Sequence, residues 1–388
     1  MPTKKLAHNF KSIFIALSLA LLCPLISYAK ELQTIKVALL DTFYNEMPLI
    51  PQTSKYEKAY FAGVETAGYE AKKYGLQIKY KPFIYGTGPL DILHEIPKVQ
   101  AWGADLVMGP NASDQCLLLG HRLQGVMTLS SYASDVHLKT LSSNFYSTLL
   151  PDDQIMALLA NYIHEKFPNK NIYVVEKIDS KQCVDAGKLF ISSIKKISPH
   201  IQIFQQKILM NNINNINSKK LMSGHENDVT LIFNSTYYGY ISFVHHIAAS
   251  FPNKKLIFFS DQDNWSSEVD GHTHKFDLSF ESYRIGPILF NRASLTFNKF
   301  MKAYQHLYHK EPKDAISYMT YYALMSAIVS LNKFPDPNHQ ETMRKKILYS
   351  YHAALKKYPN WFRGQDFGIY QLTSKGEVLV KRISVEND

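Results

Sequence analysis

The stretch "ADLVMGPNASDQCLLLGHRLQGVMTLSSYASD", residues 104–135, decides how the chain is read. Asp105 to Met108 is a short buried strand, and "GPNASD" is a tight turn and helix start. Gln115 to Leu123 follows as a helix, Val126 to Leu129 as the next strand, and "SSYASD" as the loop leaving it. In a parallel sheet both loops stand at the carboxyl ends of adjacent strands, where open α/β folds bind small ligands. They offer small hydroxyls there: Ser113 in the first, and Ser130, Ser131 and Ser134 in the second. The stretch therefore reads as half of a ligand-binding cleft.

Outward from it, short apolar strands alternate with helices, the signature of βαβ units. "IKVALL" (35–40) is a strand buried on both faces, Tyr56 to Tyr74 a helix closed by Gly75, and "LQIKYKPF" a second strand. "GPLDILHEIPKVQAWG" is a helix that Pro97 interrupts or kinks. Asn144 to Thr148 is extended, and Asp152 is an N-cap for a helix running to about Phe167. A second series repeats the rhythm. "NIYVVE", "IQIFQQ", "VTLIFN" and "KLIFFS" are strands, with helices at Cys183–Ile197 and Tyr237–Ser250. The third region differs: after a short return at Tyr283–Ile288 come helices at Arg292–His309, Ala315–Leu331 and Glu341–Lys357. A β-hairpin ends the chain, with Gly376 in its turn. These pieces complete the two earlier units rather than form a third sheet. Tyr321 and Tyr322, in mid-helix among Met319, Leu324 and Met325, read as core.

At 388 residues with 46% hydrophobic content, the chain is a packed globular protein with two or three domains' worth of core. The formal charge is +10; Lys4, Lys5 and Lys11 carry three of those charges, leaving +7 on the remainder. No run of five or six like charges and no nucleic-acid-binding signature accompanies it, so no nucleic-acid partner is expected. The three lysines precede the apolar run "SIFIALSLALLCPLIS" and the small-residue triplet Ser27–Ala29, which reads as a secretory signal cleaved before Lys30. Leu22 before Cys23 speaks against a lipoprotein site. Cys116 and Cys183 then remain; an exported compartment permits one bridge between them, and the plainer reading is two separate thiols in packed sites.

The ordered set of "IKVALL", "YFAGVETAGYEAKKYG", "ADLVMGPNAS", "GVMTLSSYASD", "FYSTLLPDDQIMALLANYI", "AISYMTYYALMSAI" and "FRGQDFGIYQLTSKGEV" resembles the type I periplasmic solute-binding proteins. It resembles in particular the branched-chain amino-acid-binding receptors of ABC importers. The resemblance implies an α/β fold of two doubly wound parallel-sheet lobes joined by three crossovers and closing on a ligand by a hinge. Lobe 1 would hold residues 30–148 and 286–351, and lobe 2 residues 149–285 and 352–388, after the signal at 1–29. It implies a periplasmic location, a monomer, a small polar ligand such as an amino acid, and an inner-membrane ABC permease as partner. It further implies that Ser113 and Ser134, with the backbone at Tyr132, face the ligand's carboxylate and ammonium. Tyr237 or Tyr238 would close over the ligand, and Asp261 would pair its ammonium. Beside these stand the plain alternatives: Ser113 or Asn111 caps a helix, Ser134 shapes a turn, and Asp261 is a cap or surface carboxylate. "DSKQC" departs from the family where a tyrosine is frequent.

No phosphate-binding loop and no nucleophile elbow is present. "DQDNWSS" lacks the glycine and the terminal glutamate of a calcium loop, and His245–His246 and "HTH" (272–274) lack a third ligand. No catalytic residue, metal or cofactor is expected, and the chain is read as a receptor rather than an enzyme. The rival reading is a periplasmic regulator of the same fold that binds a protein partner, such as a cell-wall synthase or a sensor.

Overall fold

The computed structural model describes residues 32–41, 53–85, 90–209, 215–233, 237–260, 280–288, 294–312, 315–338, 340–363, 367–373 and 376–383. The expected signal, Asp261 and the histidines at 272–274 lie outside the described residues. The first sheet draws on β1 (Gln33–Asp41), β2 (Leu76–Ile84), β3 (Leu106–Met108), β4 (Met127–Ser130) and β5 (Phe145–Ser147). These alternate with helices α1 (Thr53–Ala71), α2 (Ile96–Trp102) and α3 (Ser113–Leu119). Its order is β2-β1-β3-β4-β5, and every pairing is parallel.

The chain then enters α4 (Asp152–Lys166), β6 (Ile172–Lys177), α5 (Lys181–Ile197), β7 (Ile203–Ile208), α6 (Ser218–Leu221), β8 (Val229–Phe233), α7 (Tyr237–Ala249), β9 (Ile257–Ser260) and β10 (Glu281–Pro287). Helices α8 (Leu295–Tyr308), α9 (Ala315–Lys333) and α10 (Met343–Lys357) precede the hairpin β11 (Phe367–Thr373) and β12 (Gly376–Ile383). The second sheet has the order β12-β11-β10-β9-β8-β6-β7. β11 and β12 run antiparallel to their neighbours, and the other pairings are parallel. This is the doubly wound two-sheet architecture that the alternation of elements predicts.

Strand alternation explains how each sheet is covered on both faces. In the first sheet Val37, Leu39, Met108 and Leu129 point to one face, into a core shared with α1, α8, α9 and α10. Ala38, Leu40, Val107 and Phe83 point to the other, against α2 and the residues that follow α3. Strands buried on both sides need apolar residues throughout, which is why "IKVALL" scarcely alternates. In the second sheet Val174, Leu231 and Phe259 meet α4 and α5, while Val175, Ile232 and Phe258 meet α7. The three late helices thus serve the first sheet and the hairpin extends the second. Among the described residues no helix is long and apolar enough to cross a membrane.

Helix α9 joins the two cores. Ala315 and Met319 lie in the core of the second sheet, and Ile316, Tyr321, Leu324 and Ile328 in that of the first. Helix α1 crosses α9 closely at Gly63, where a Cβ would stand 2.4 Å from the Ser317 carbonyl oxygen. Ser294 caps α8 by accepting from the Phe297 amide at 3.3 Å. Ser294→Ala should cost about 1 kcal/mol, read as a lower denaturation midpoint; an unchanged midpoint would show the cap to be idle.

Three local expectations are sharpened or corrected. The stretch around Pro97 is interrupted rather than kinked: residues 91–94 form a separate 3-10 turn, and Pro97 lies in the first turn of α2, where its missing N–H is not needed. Asp152 is not an N-cap; Pro151 takes that position and Asp152 is the first helical residue. Gly376 is not in the hairpin turn but pairs with Thr373 as the first residue of β12. Gly75 does close its helix, with φ of 74°.

Candidate functional site

Each sheet reverses its winding once. In the first, β1 is followed outward on one side by β2 and on the other by β3; in the second, β6 is flanked by β7 and β8. Ligands of open α/β sheets bind outside the carboxyl ends of strands at such switch points. At the first switch point stand Asp41, the last residue of β1, and Asn111, three residues beyond β3.

Asp41 is only 5% exposed. The Asn111 amide donates to its Oδ2 at 2.7 Å. Asn111 Oδ1 in turn accepts from the Ser131 hydroxyl at 3.1 Å and from the Ser131 amide at 3.4 Å. A single side chain thus links the ends of β1, β3 and β4. Beside it the Tyr85 hydroxyl, just past β2, donates to Gln115 Oε1 at 2.7 Å. Burial, followed by the nearness of Asp41, raises the pKa of both Tyr60 and Tyr85, so both hydroxyls stay protonated. Cys116 donates to the Pro110 carbonyl at 3.1 Å, and burial pushes its thiol well up. It is a packed thiol, not an activated nucleophile. Cys183 is likewise a buried thiol rather than half of a disulfide.

Three of the sequence-predicted site residues meet here. Ser113 Oγ accepts from the amides of Ser134 at 3.1 Å and Asp135 at 3.3 Å. Neither Ser113 nor Asn111 caps α3; Ala112 holds the N-cap position without a side-chain bond. Ser113 instead pins the loop after β4 to the start of α3, which keeps its hydroxyl hydrogen for a further acceptor. Tyr132 packs its ring against both cores, and its amide points to Ser130 Oγ at 3.4 Å. Ser134 is buried, with its carbonyl accepting from the Asp152 amide at 2.8 Å. Its hydroxyl hydrogen-bonds the Asp152 carboxyl, whose pKa burial pushes up to about 6, against the lowering effect of that bond.

The junction between the sheets is tied nearby. The Tyr146 hydroxyl donates to the Trp361 carbonyl at 2.6 Å. Arg363 donates to the Ser147 carbonyl at 3.3 Å and lies 4.5 Å over the Tyr146 ring. On the second sheet Tyr237 and Tyr238 open α7, directly beyond the carboxyl end of β8; their side chains lie outside the described set, as does the whole of Asp261. His246 points Nε2 at the Ile216 carbonyl, 2.8 Å away. Among the described residues no group of three or more His, Cys, Asp or Glu is placed to hold a metal ion.

The sequence reading missed Asp41, Tyr85 and Gln115. Asp41 carried a signal, an acid closing the apolar run Val37–Leu40; Tyr85 and Gln115 are 30 positions apart and only the fold brings them together.

No family model matches the sequence, and no curated protein matches it. Solved structures do match in fold. A leucine-binding protein from Thermotoga maritima superposes with a TM-score of 0.68 at 13% identity, covering 90% of this chain and 99% of that one. A branched-chain amino-acid transporter substrate-binding protein from Streptococcus pneumoniae, solved with isoleucine, gives 0.68 at 15% identity, covering 91% and 99%. An ABC-transporter solute-binding protein from R. palustris, solved with 4-hydroxybenzoate, gives 0.70 at 12% identity, covering 92% and 98%. With TM-scores of 0.68 over 90–91% of this chain and 99% of each of theirs, the chain has the type I periplasmic-binding-protein fold.

Proposed function

We propose that this chain is a non-enzymatic solute-binding receptor, exported to the periplasm by residues 1–29. In this reading it captures a small polar ligand between two lobes and delivers it to an ABC importer. The observation that carries it is the pair of switch points, one in each parallel sheet, in a fold whose solved representatives are described as transporter substrate-binding proteins. Lobe 1 comprises residues 30–148 and 286–351, and lobe 2 residues 149–285 and 352–388, the second crossover leaving from β10. Ser113, Tyr132 and Ser134 form the ligand wall of lobe 1 together with Asp41 and Asn111. Tyr237, Tyr238 and Asp261 form that of lobe 2. Closure follows from ligand favouring the closed population. The ligand is an amino acid or a related small acid.

A thermal-shift screen of the mature protein against amino acids and hydroxybenzoates tests this. A ligand at a hundred times its Kd adds about 2.7 kcal/mol of stability, so at least one compound should raise the melting temperature. No response from any at millimolar concentration would sink the receptor reading. For a compound that binds, Ser113→Ala should weaken affinity roughly tenfold, the worth of one hydrogen bond, as read by calorimetry; unchanged affinity would remove Ser113 from the site.

One observation favours a protein-binding regulator instead. Edge strand β12 exposes Val378, Leu379 and Val380 in succession, as a strand-pairing partner would require. Co-purification of a stable envelope protein with wild type, lost in Leu379→Lys, would support that reading over transport.

A further inference from the structure

Ser134 and Asp152 come from different parts of the fold. Ser134 sits in the loop beyond β4 of the first sheet, and Asp152 opens α4, which packs on the second. The first crossover is the short stretch 148–151 between β5 and α4. It is stitched to the β4 loop at both ends: the Thr148 amide donates to the Ser130 carbonyl at 3.0 Å and the Asp152 amide to the Ser134 carbonyl at 2.8 Å. The Ser134 amide donates to Ser113 Oγ at 3.1 Å. Ser113, Ser134 and Asp152 thus form a chain from the first switch-point loop to the start of the second lobe.

We propose that Asp152 is a positioning residue for Ser134, a proton-dependent clasp across the lobe junction that decides where the Ser134 hydroxyl hydrogen points. This rests on the reading of Ser134 as a ligand residue. With Asp152 ionised, the Ser134 hydroxyl donates to the carboxylate and its hydrogen is committed. With Asp152 protonated, the acid O–H donates to Ser134 Oγ, and the serine hydrogen turns to another acceptor, such as a ligand carboxylate. One proton taken up at Asp152 thereby converts Ser134 from a donor to its own chain into a donor to the site.

The surroundings suit such a switch. Burial disfavours the charged carboxylate, the Ser134 bond opposes that effect, and Asp135 and Asp153 add to it. Both of those acids are themselves paired. His137 Nδ1 lies 2.7 Å from Asp135 Oδ1, and Lys139 reaches both oxygens of Asp153 at 2.9–3.0 Å. Asp152 therefore titrates against these four neighbours and Ser134. Because its folded pKa lies above the unfolded value near 4, the folded state holds the proton more tightly. Its contribution to stability is full below pH 4 and is lost as the pH rises to about 6.

Two measurements on the mature chain test the proposal. The first uses no ligand: melting temperature against pH from 4 to 8 for wild type, Asp152→Asn and Ser134→Ala. Wild type should fall between about pH 4 and pH 6 more steeply than Asp152→Asn does. Ser134→Ala should move the end of that fall to higher pH, since the carboxylate loses its donor. Coincident profiles for wild type and Ser134→Ala overturn the clasp. Asp152→Ser replaces the asparagine variant if that one fails to fold. The second measures isoleucine and 4-hydroxybenzoate binding at pH 5 and pH 7.5. Wild type should bind one of them roughly five- to tenfold more tightly at pH 5, the worth of one regained donor, and Asp152→Asn should show no such difference. Equal pH dependence in both overturns the link to the ligand. If neither probe binds at either pH, the receptor reading and that link fall together, while the ligand-free profiles decide the clasp separately.

Discussion

Gly109→Ala should lower the stability of the protein by about 2–5 kcal/mol, the largest effect expected of any single methyl group here. Two penalties add. The residue has φ of 87°, a left-handed conformation that costs a non-glycine residue about 1–2 kcal/mol. A Cβ there would stand 2.1 Å from the Leu40 carbonyl oxygen, and relieving an overlap with backbone costs about 1–3 kcal/mol more. Leu40 precedes Asp41 and Gly109 is followed closely by Asn111, so any relaxation parts the two side chains that meet at the first switch point. Denaturant titration of the purified variant should show the lost stability, and ligand binding should weaken with it. A midpoint equal to that of wild type would mean that the β1–β3 junction yields freely, and the rigid account of this site would be wrong.

Gly63→Val should cost about 3 kcal/mol or more. Its Cβ would stand 2.4 Å from the Ser317 carbonyl oxygen and 2.8 Å from Thr320 Cβ, so α1 and α9 would have to separate. Because α9 contributes to the cores of both sheets, the displacement reaches each. Gly68→Ala on the same helix is the control: its Cβ meets only Ile78 Cβ, at 3.7 Å. Removing a mid-helix glycine there should be neutral or stabilise by about 0.5–1 kcal/mol. Equal melting temperatures for the two variants would sink the close-packing explanation.

Much of the fold was legible because it rests on short-range pattern. Runs such as "IKVALL" and "VTLIFN" are apolar enough for burial on both faces, and the stretches between them repeat at helical spacing. Chain order alone showed that α8 to α10 lack strands of their own. The ambiguities and errors lie where one residue supports two local outcomes. Pro97 suits a kink and a first turn equally, and Asp152 suits a cap and the position after it. Which one holds is set by how residues 91–94 and 148–151 pack.

The candidate site was half legible. Ser113, Tyr132 and Ser134 stand near one another because two consecutive strands of one sheet carry their loops. Their hydrogen bonding was not legible: Ser113 serves as an acceptor for the β4 loop, and Ser134 faces Asp152. Asp41 and Asn111 lie 70 positions apart, and only the order β2-β1-β3 makes them neighbours.

By itself, then, the sequence determined the alternation of buried strands and helices, the two-sheet architecture and the loops that carry hydroxyls, since hydrophobic periodicity and turn residues act over a few positions. The tertiary structure alone decided the switch point at Asp41 and Asn111, the passage of α9 through both cores, and the placing of Ser134 beside Asp152. Each of these depends on strand order and on the desolvation of polar groups brought together from distant segments, and neither quantity is written in local sequence.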